Sequence, residues 1–208
     1  VSKKDNLLHA PDTYMEKIAV GKNIKEGVID LDFGITKNLK NLADFKNTTP
    51  DKLTICLLER ERHDHIVKDA KQLGTKIKFI SDGDVAGAIY AGIEEFKVDI
   101  YLGIGGAPEG VLAAAAIKCL GGQFQARLVL SNEHEIDKAK KMGIKDLKKK
   151  YYINDIVKDD VLFCATGVTG GDLLQGIEIL DNGFYQSETY VLHHASKLNK
   201  KIINKFKI

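Results

Sequence analysis

The 208 residues carry 31 basic and 29 acidic side chains, a formal charge of +2, and that near-balance excludes a general nucleic-acid binder. A hydrophobic content of 44% is enough to bury one substantial core or two small ones, and no apolar run is long enough for a transmembrane helix or secretory signal. Cys56, Cys119 and Cys164 are odd in number, far apart and form no CxxC pair, which points to reduced thiols and a cytoplasmic chain.

In chain order, residues 11–17 (PDTYMEK) precede the first expected strand and carry Tyr14 among polar neighbours, as a contact or a packing residue. Residues 27–31 (GVIDL) read as a strand, and Thr36 as the cap of a helix running toward Phe45. Residues 53–58 (LTICLL) read as a buried strand, followed by an amphipathic helix from about residue 63 to residue 73 that stops at Gly74. Residues 76–80 predict a short strand and residues 84–93 a helix. Residues 98–102 (VDIYL) predict the next strand, and residues 111–120 (VLAAAAIKCL) a helix ending at Gly121 and Gly122. Residues 159–167 (DDVLFCATG) lead into a glycine loop, and residues 185–194 alternate weakly as a late strand. Cys56 and Cys164 fall inside strand runs and read as buried small hydrophobes. Lys148, Lys149, Lys150 and the lysines near the carboxyl end read as solvated faces. Three consecutive strand–loop–helix units imply a largely parallel or mixed sheet covered by helices, and no linker marks an internal domain boundary.

In such a sheet the carboxyl ends of the strands face the ligand crevice. The first of the three expected units exits into Glu59, Arg60, Glu61, Arg62 and His63. The second exits into Ser81, Asp82, Gly83 and Asp84, and the third into residues 103–111 (GIGGAPEGV). Arg60 and Arg62, two apart on an extended exit, suit bidentate phosphate binding, or else an ion-pair ladder with their acidic neighbours. His63 and His65 read as the exposed start of a helix. Asp82 and Asp84 flank a residue that tolerates positive φ, and either accept sugar hydroxyls, bind a cation or cap the helix. Residues 103–111 read as a glycine turn that aims backbone N–H groups at an anion, yet Glu109 stands at its mouth and would repel a phosphate. A divalent cation between the two resolves that conflict; a plain turn with a capping acid is the bland alternative. Pro108 occupies the place of the third glycine of a dinucleotide fingerprint, and the Gly-Lys-Ser/Thr of a nucleotide-hydrolase loop is absent.

The stretches APDTYMEK, RERHD, ISDGDVAGAI, GIGGAPEGVLAAAAIKCLGG with QARL, and DDVLFCATGVTGGDLLQG, taken together and in this order, resemble class II fructose-1,6-bisphosphatase across nearly the whole chain. The resemblance implies a layered α/β/α sugar-phosphatase fold of the inositol-monophosphatase and fructose-bisphosphatase kind, with a mixed sheet covered by helices. It also implies hydrolysis of the 1-phosphate of fructose 1,6-bisphosphate with Mn²⁺ or Mg²⁺, and leaves a homo-oligomer open. By motif, Tyr14 would contact substrate, the Arg60–Glu61–Arg62 segment would hold phosphate, and Asp82, Gly83 and Asp84 would form the sugar-binding turn. Gly106 would offer a backbone contact, and Glu109 would be a metal ligand and a catalytic residue. Glu61 stands where the family often has proline, and Gly170 where it commonly has aspartate. The family's Asp-Pro-x-Asp/Glu-Gly-Thr motif and most of its metal ligands precede APDTYMEK and do not occur in these residues. The chain therefore reads as a C-terminal portion, incomplete at its amino end and expected to be inactive alone. Rival readings are a phosphatase of sedoheptulose 1,7-bisphosphate or inositol phosphates, a non-catalytic sugar-phosphate-binding module, and a Rossmann-type nucleotide domain.

Overall fold

The computed structural model describes residues 1–81 and 83–207. Its main sheet is built from β1 (Tyr14–Val20), β2 (Thr54–Leu58), β3 (Lys76–Ile80), β4 (Ile100–Gly106), β5 (Gln123–Val129) and β6 (Tyr151–Tyr152), in the order β3-β2-β4-β1-β5-β6 among the described residues. β2 runs parallel to β3 and β4, β1 runs antiparallel to β4 and β5, and β6 is antiparallel to β5, so the sheet is mixed. Successive residues of a strand point to opposite faces, and here both faces are apolar. Ile55, Leu57, Ile18 and Leu102 pack on one face beneath α1 (Gly34–Phe45) and α2 (Asp64–Gln72). Cys56, Met15, Ala19 and Tyr101 pack on the other beneath α3 (Asp84–Gly92) and α4 (Ala107–Leu120). Two further helices, α5 (Glu133–Lys141) and the short α6 (Ile153–Ile156), follow β5 and β6. This is the expected α/β/α sandwich.

A second sheet, whose presence as a separate layer the sequence did not announce, joins β7 (Leu162–Thr166), β8 (Glu178–Ile179), β9 (Phe184–His193) and β10 (Leu198–Lys207). All its pairs are antiparallel, in the order β10-β9-β7 with β8 beside β9. Phe163, Tyr190 and Leu192 bury against the same cluster as Ala113 to Ala116 of α4. The run of alanines is explained by that position: a helix between two sheets needs small side chains on more than one face. No helix among the described residues is long and apolar enough to cross a membrane.

Four expectations are corrected. Residues 27–31 form no strand, because the backbone N–H and C=O of Asp30 bond to the Asn38 amide at 2.8 Å each instead of to a ladder. Thr36 lies inside α1, which begins at Gly34. Tyr14 opens a central strand rather than preceding the first one. Cys164 is exposed on β7, although Cys56 and Cys119 are buried.

Candidate functional site

The parallel strands β2, β3 and β4 end at one edge of the main sheet, where antiparallel β1 begins, with Tyr14 opposite Gly106. That edge holds a cleft of about 310 Å³. Tyr14, Arg60, Arg62, Gly83, Asp84, Gly106 and Glu109 all line it. Asp82 lies outside the described residues. Glu61 does not reach the cleft: it opens a 3₁₀ turn, Glu61–His63, and lines a separate depression with Glu59, Asp64 and Phe79.

The glycine segment is strand, not turn. β4 continues through Gly106 because β1 pairs with it over that length, and α4 starts at the next residue, with Pro108 in its first turn. The N–H of Ala107 donates to Thr13 O at 2.8 Å, so the first of the helix's amides is already committed. The glycines serve close approach. A Cβ on Gly106 would lie 1.9 Å from Glu109 Oε2, so the Glu109 carboxylate rests directly against this residue. A Cβ on Gly105 would lie 2.4 Å from Asp84 Oδ2.

Asp84 is buried, and its two oxygens accept from Lys17 Nζ and the Tyr101 hydroxyl. The predicted sugar-turn carboxylate therefore faces inward, because a buried carboxylate is held only where donors surround it. Lys17 also donates to Gly106 O at 2.8 Å. Burial pulls the Lys17 pKa down, and the Asp84 carboxylate opposes that shift. Sequence reasoning missed Lys17 and Tyr101. The available signal was the strand alternation of MEKIAV, which puts Lys17 on the same face as Met15 and Ala19, between two core positions.

His63 is buried, not exposed as the sequence suggested. The Ile104 N–H donates to its Nε2 at 2.8 Å, so Nδ1 carries the ring proton and donates to Leu58 O at 2.8 Å. Burial lowers its pKa, and the positive Arg62 adds to that direction. This neutral imidazole ties the exit of β2 to β4. Next to it, Arg62 Nε donates to Ile104 O at 2.9 Å, and its guanidinium lies 5.1 Å from the centre of the Tyr14 ring. Nothing among the described residues engages the two Nη groups of Arg62. Arg60 spends both of its own on Glu59 O and Ser81 O, at 2.8 and 2.7 Å.

Among the described residues no group of three or more His, Cys, Asp or Glu is arranged to hold a metal ion. Asp84 is taken, and Glu109 offers one carboxylate where a hard cation needs about six oxygens. The residues present do not fit a divalent cation by themselves.

Residues 1–206 match the sequence model of the family described as bacterial fructose-1,6-bisphosphatase, glpX-encoded. The chain belongs to this family. It is 41% identical to the protein named fructose-1,6-bisphosphatase class 2 of Haemophilus influenzae, over 96% of this chain and 63% of that protein. It is 40% identical to fructose-1,6-bisphosphatase 2 class 2 of Escherichia coli, over 86% of this chain and 60% of that one. A Synechococcus relative, named D-fructose 1,6-bisphosphatase class 2/sedoheptulose 1,7-bisphosphatase, is 35% identical over 95% of this chain and 60% of its own. The chain thus spans about three fifths of the length of the curated relatives it matches. The bacterial fructose-1,6-bisphosphatase match takes in the second sheet as well as the first, since it extends into β10.

Proposed function

We propose that the cleft at the end of β2, β3 and β4 binds a sugar bisphosphate, and that the chain is the substrate-holding share of a metal-dependent fructose-1,6-bisphosphate 1-phosphatase. The observation that carries this reading is the convergence of Tyr14, Arg60, Arg62, Gly106 and Glu109 on one cleft from four different elements. Arg62, which lines the cleft with its Nε anchored and its Nη groups without a hydrogen-bond partner among the described residues, is suited to take phosphate oxygens in a fork. Tyr14 is half exposed, and its ring, braced by Arg62, offers a surface for the sugar. Arg60 supplies positive charge from the rim. Gly83 and Gly106 contribute backbone at the cleft wall. Asp84 acts from below by holding Lys17 and the head of α3. The names carried by the relatives favour fructose 1,6-bisphosphate as substrate; Mn²⁺ or Mg²⁺ as the cation, with Glu109 as one of its ligands, is what the motif resemblance implies.

Hydrolysis of a phosphate ester needs an in-line water and neutralised phosphoryl oxygens, and Glu109 alone provides neither. The chain is therefore expected to bind substrate without turning it over. Calorimetric titration of fructose 1,6-bisphosphate, with and without Mn²⁺, and a phosphate-release assay test both halves, with sedoheptulose 1,7-bisphosphate run beside it. Vigorous Mn²⁺-dependent phosphate release by these 208 residues, or no detectable binding of either bisphosphate, overturns the reading.

A further inference from the structure

At the opposite edge of the main sheet, where β2, β3 and β4 begin and β1 ends, lies a cavity of about 600 Å³, roughly twice the volume of the cleft. Five lysines line it, Lys22, Lys46, Lys52, Lys76 and Lys97, against two acids, Glu94 and Asp99. Asp99 is spent within the protein: one oxygen pairs with Lys46 and the other accepts the Thr54 N–H at 2.7 Å. Lys52 pairs with its neighbour Asp51. Lys22, Lys76 and Lys97 have no ion-pair partner among the described residues. Glu94 has none either, so three such ammonium groups face one carboxylate, and a net positive charge around a concavity focuses its field into it and raises the local concentration of anions. The volume falls within the usual range of small-molecule pockets, roughly 300–1,000 Å³. Part of the wall is also held in an uncommon backbone: Asn23 and Lys97 have φ of 70° and 52°, a region that side-chain-bearing residues seldom adopt. Phe45 and Val98 add apolar surface beside the lysines.

We propose that this cavity is a second anion site, separate from the cleft, that takes a small phosphorylated compound. Ammonium groups bind phosphate as point charges that adjust on flexible stems, which suits a ring of lysines better than it suits a shape-selective fork. Thr54, Lys76 and Asp99 stand at the amino ends of the strands whose carboxyl ends carry the cleft, so a ligand here sits at the far end of the same three strands. The site does not depend on the function proposed for the cleft.

The test is titration of the ¹⁵N-labelled chain with pyrophosphate and, separately, ribose 5-phosphate, followed by amide shifts. Shifts at Asn23, Lys97 and Asp99 are expected, and they should persist in an Arg60→Ala/Arg62→Ala variant that cripples the cleft. A Lys22→Glu/Lys76→Glu variant should weaken binding at these amides roughly tenfold or more, since it puts anions beside the phosphate. Lys201→Glu on β10, exposed in the second sheet and outside the lining of the cavity, should leave it unchanged. Tighter binding of ribose 5-phosphate supports an organic phosphate that uses the Phe45 wall, and tighter binding of pyrophosphate supports an inorganic one. Shifts confined to Tyr14, Gly105 and Gly106, no shifts with either compound, or an equal loss with Lys201→Glu overturns the proposal.

Discussion

Lys17 and Asp84 form an ion pair beneath the floor of the cleft, one from the middle of a central strand and the other from the first turn of α3. Lys17 is fully buried and Asp84 nearly so, with Tyr101 closing the group from the neighbouring strand. Removing one partner strands the other charge in the core. Lys17→Met is therefore expected to cost about 3–5 kcal/mol, and adding Asp84→Asn should recover part of that loss. Urea unfolding of the two single variants and the double variant checks it. Strictly additive losses would mean that the pair is not coupled.

The neutral His63 makes stability depend on pH. Its folded pKa lies below the usual 6.5, so at acidic pH the unfolded chain takes up a proton that the folded chain resists. Stability should hold steady above about pH 6.5 and fall as the pH drops toward the lowered folded value, with a slope of at most about 1.4 kcal/mol per pH unit from this group. His194, whose pKa burial also lowers, contributes in the same direction. The comparison is thus between the parent chain and His63→Gln, in midpoints of urea unfolding from pH 5 to 8. Parallel curves for the two would rule His63 out as a source.

Gly105 and Gly106 are adjacent, yet alanine should affect them differently. At Gly105 the new methyl meets Asp84, which is pinned by Lys17 and Tyr101, and overpacking of that kind costs about 1–3 kcal/mol. At Gly106 it meets the free end of Glu109, which can swing away. Gly106→Ala should keep its melting temperature near that of the parent while changing ligand or cation binding in the cleft. Equal destabilisation by both would contradict this account.

Arg62 combines charge with a fixed fork. Arg62→Lys keeps the charge but loses the Nε bond to Ile104 O, so fructose 1,6-bisphosphate binding should weaken nearly as much as in Arg62→Ala, by roughly tenfold or more. Arg60→Ala should cost less, because Arg60 is exposed and already occupied by two carbonyls. Calorimetry at fixed ionic strength separates the three. Full affinity in Arg62→Lys would reduce its role to that of a simple cation.

Much of the architecture was legible in residue order. Residues 53–58 read as an unbroken apolar run because β2 is buried on both faces, residues 76–80 alternate as the edge strand β3, and the helix between them shows a polar stripe. Residues 27–31 misled because their apolar character serves core burial of Ile29 while the backbone bonds to Asn38, a partner eight residues away from Asp30. The glycines at 103–106 look like a turn in any local window. Only the pairing of β4 with β1, distant in sequence, makes them strand.

The sequence by itself determined the types of residue at the three strand exits, the spacing of Arg60 and Arg62, and the family to which those motifs point. Tertiary structure alone decided which of these residues face solvent. Burial depends on what packs from elsewhere in the chain: Lys17 and Tyr101 turn Asp84 inward, Ile104 draws His63 into the core, and the 3₁₀ turn carries Glu61 away from the cleft. Glu109 remains at the cleft wall with its carboxylate against Gly106, because a glycine there leaves the space that a side chain would fill.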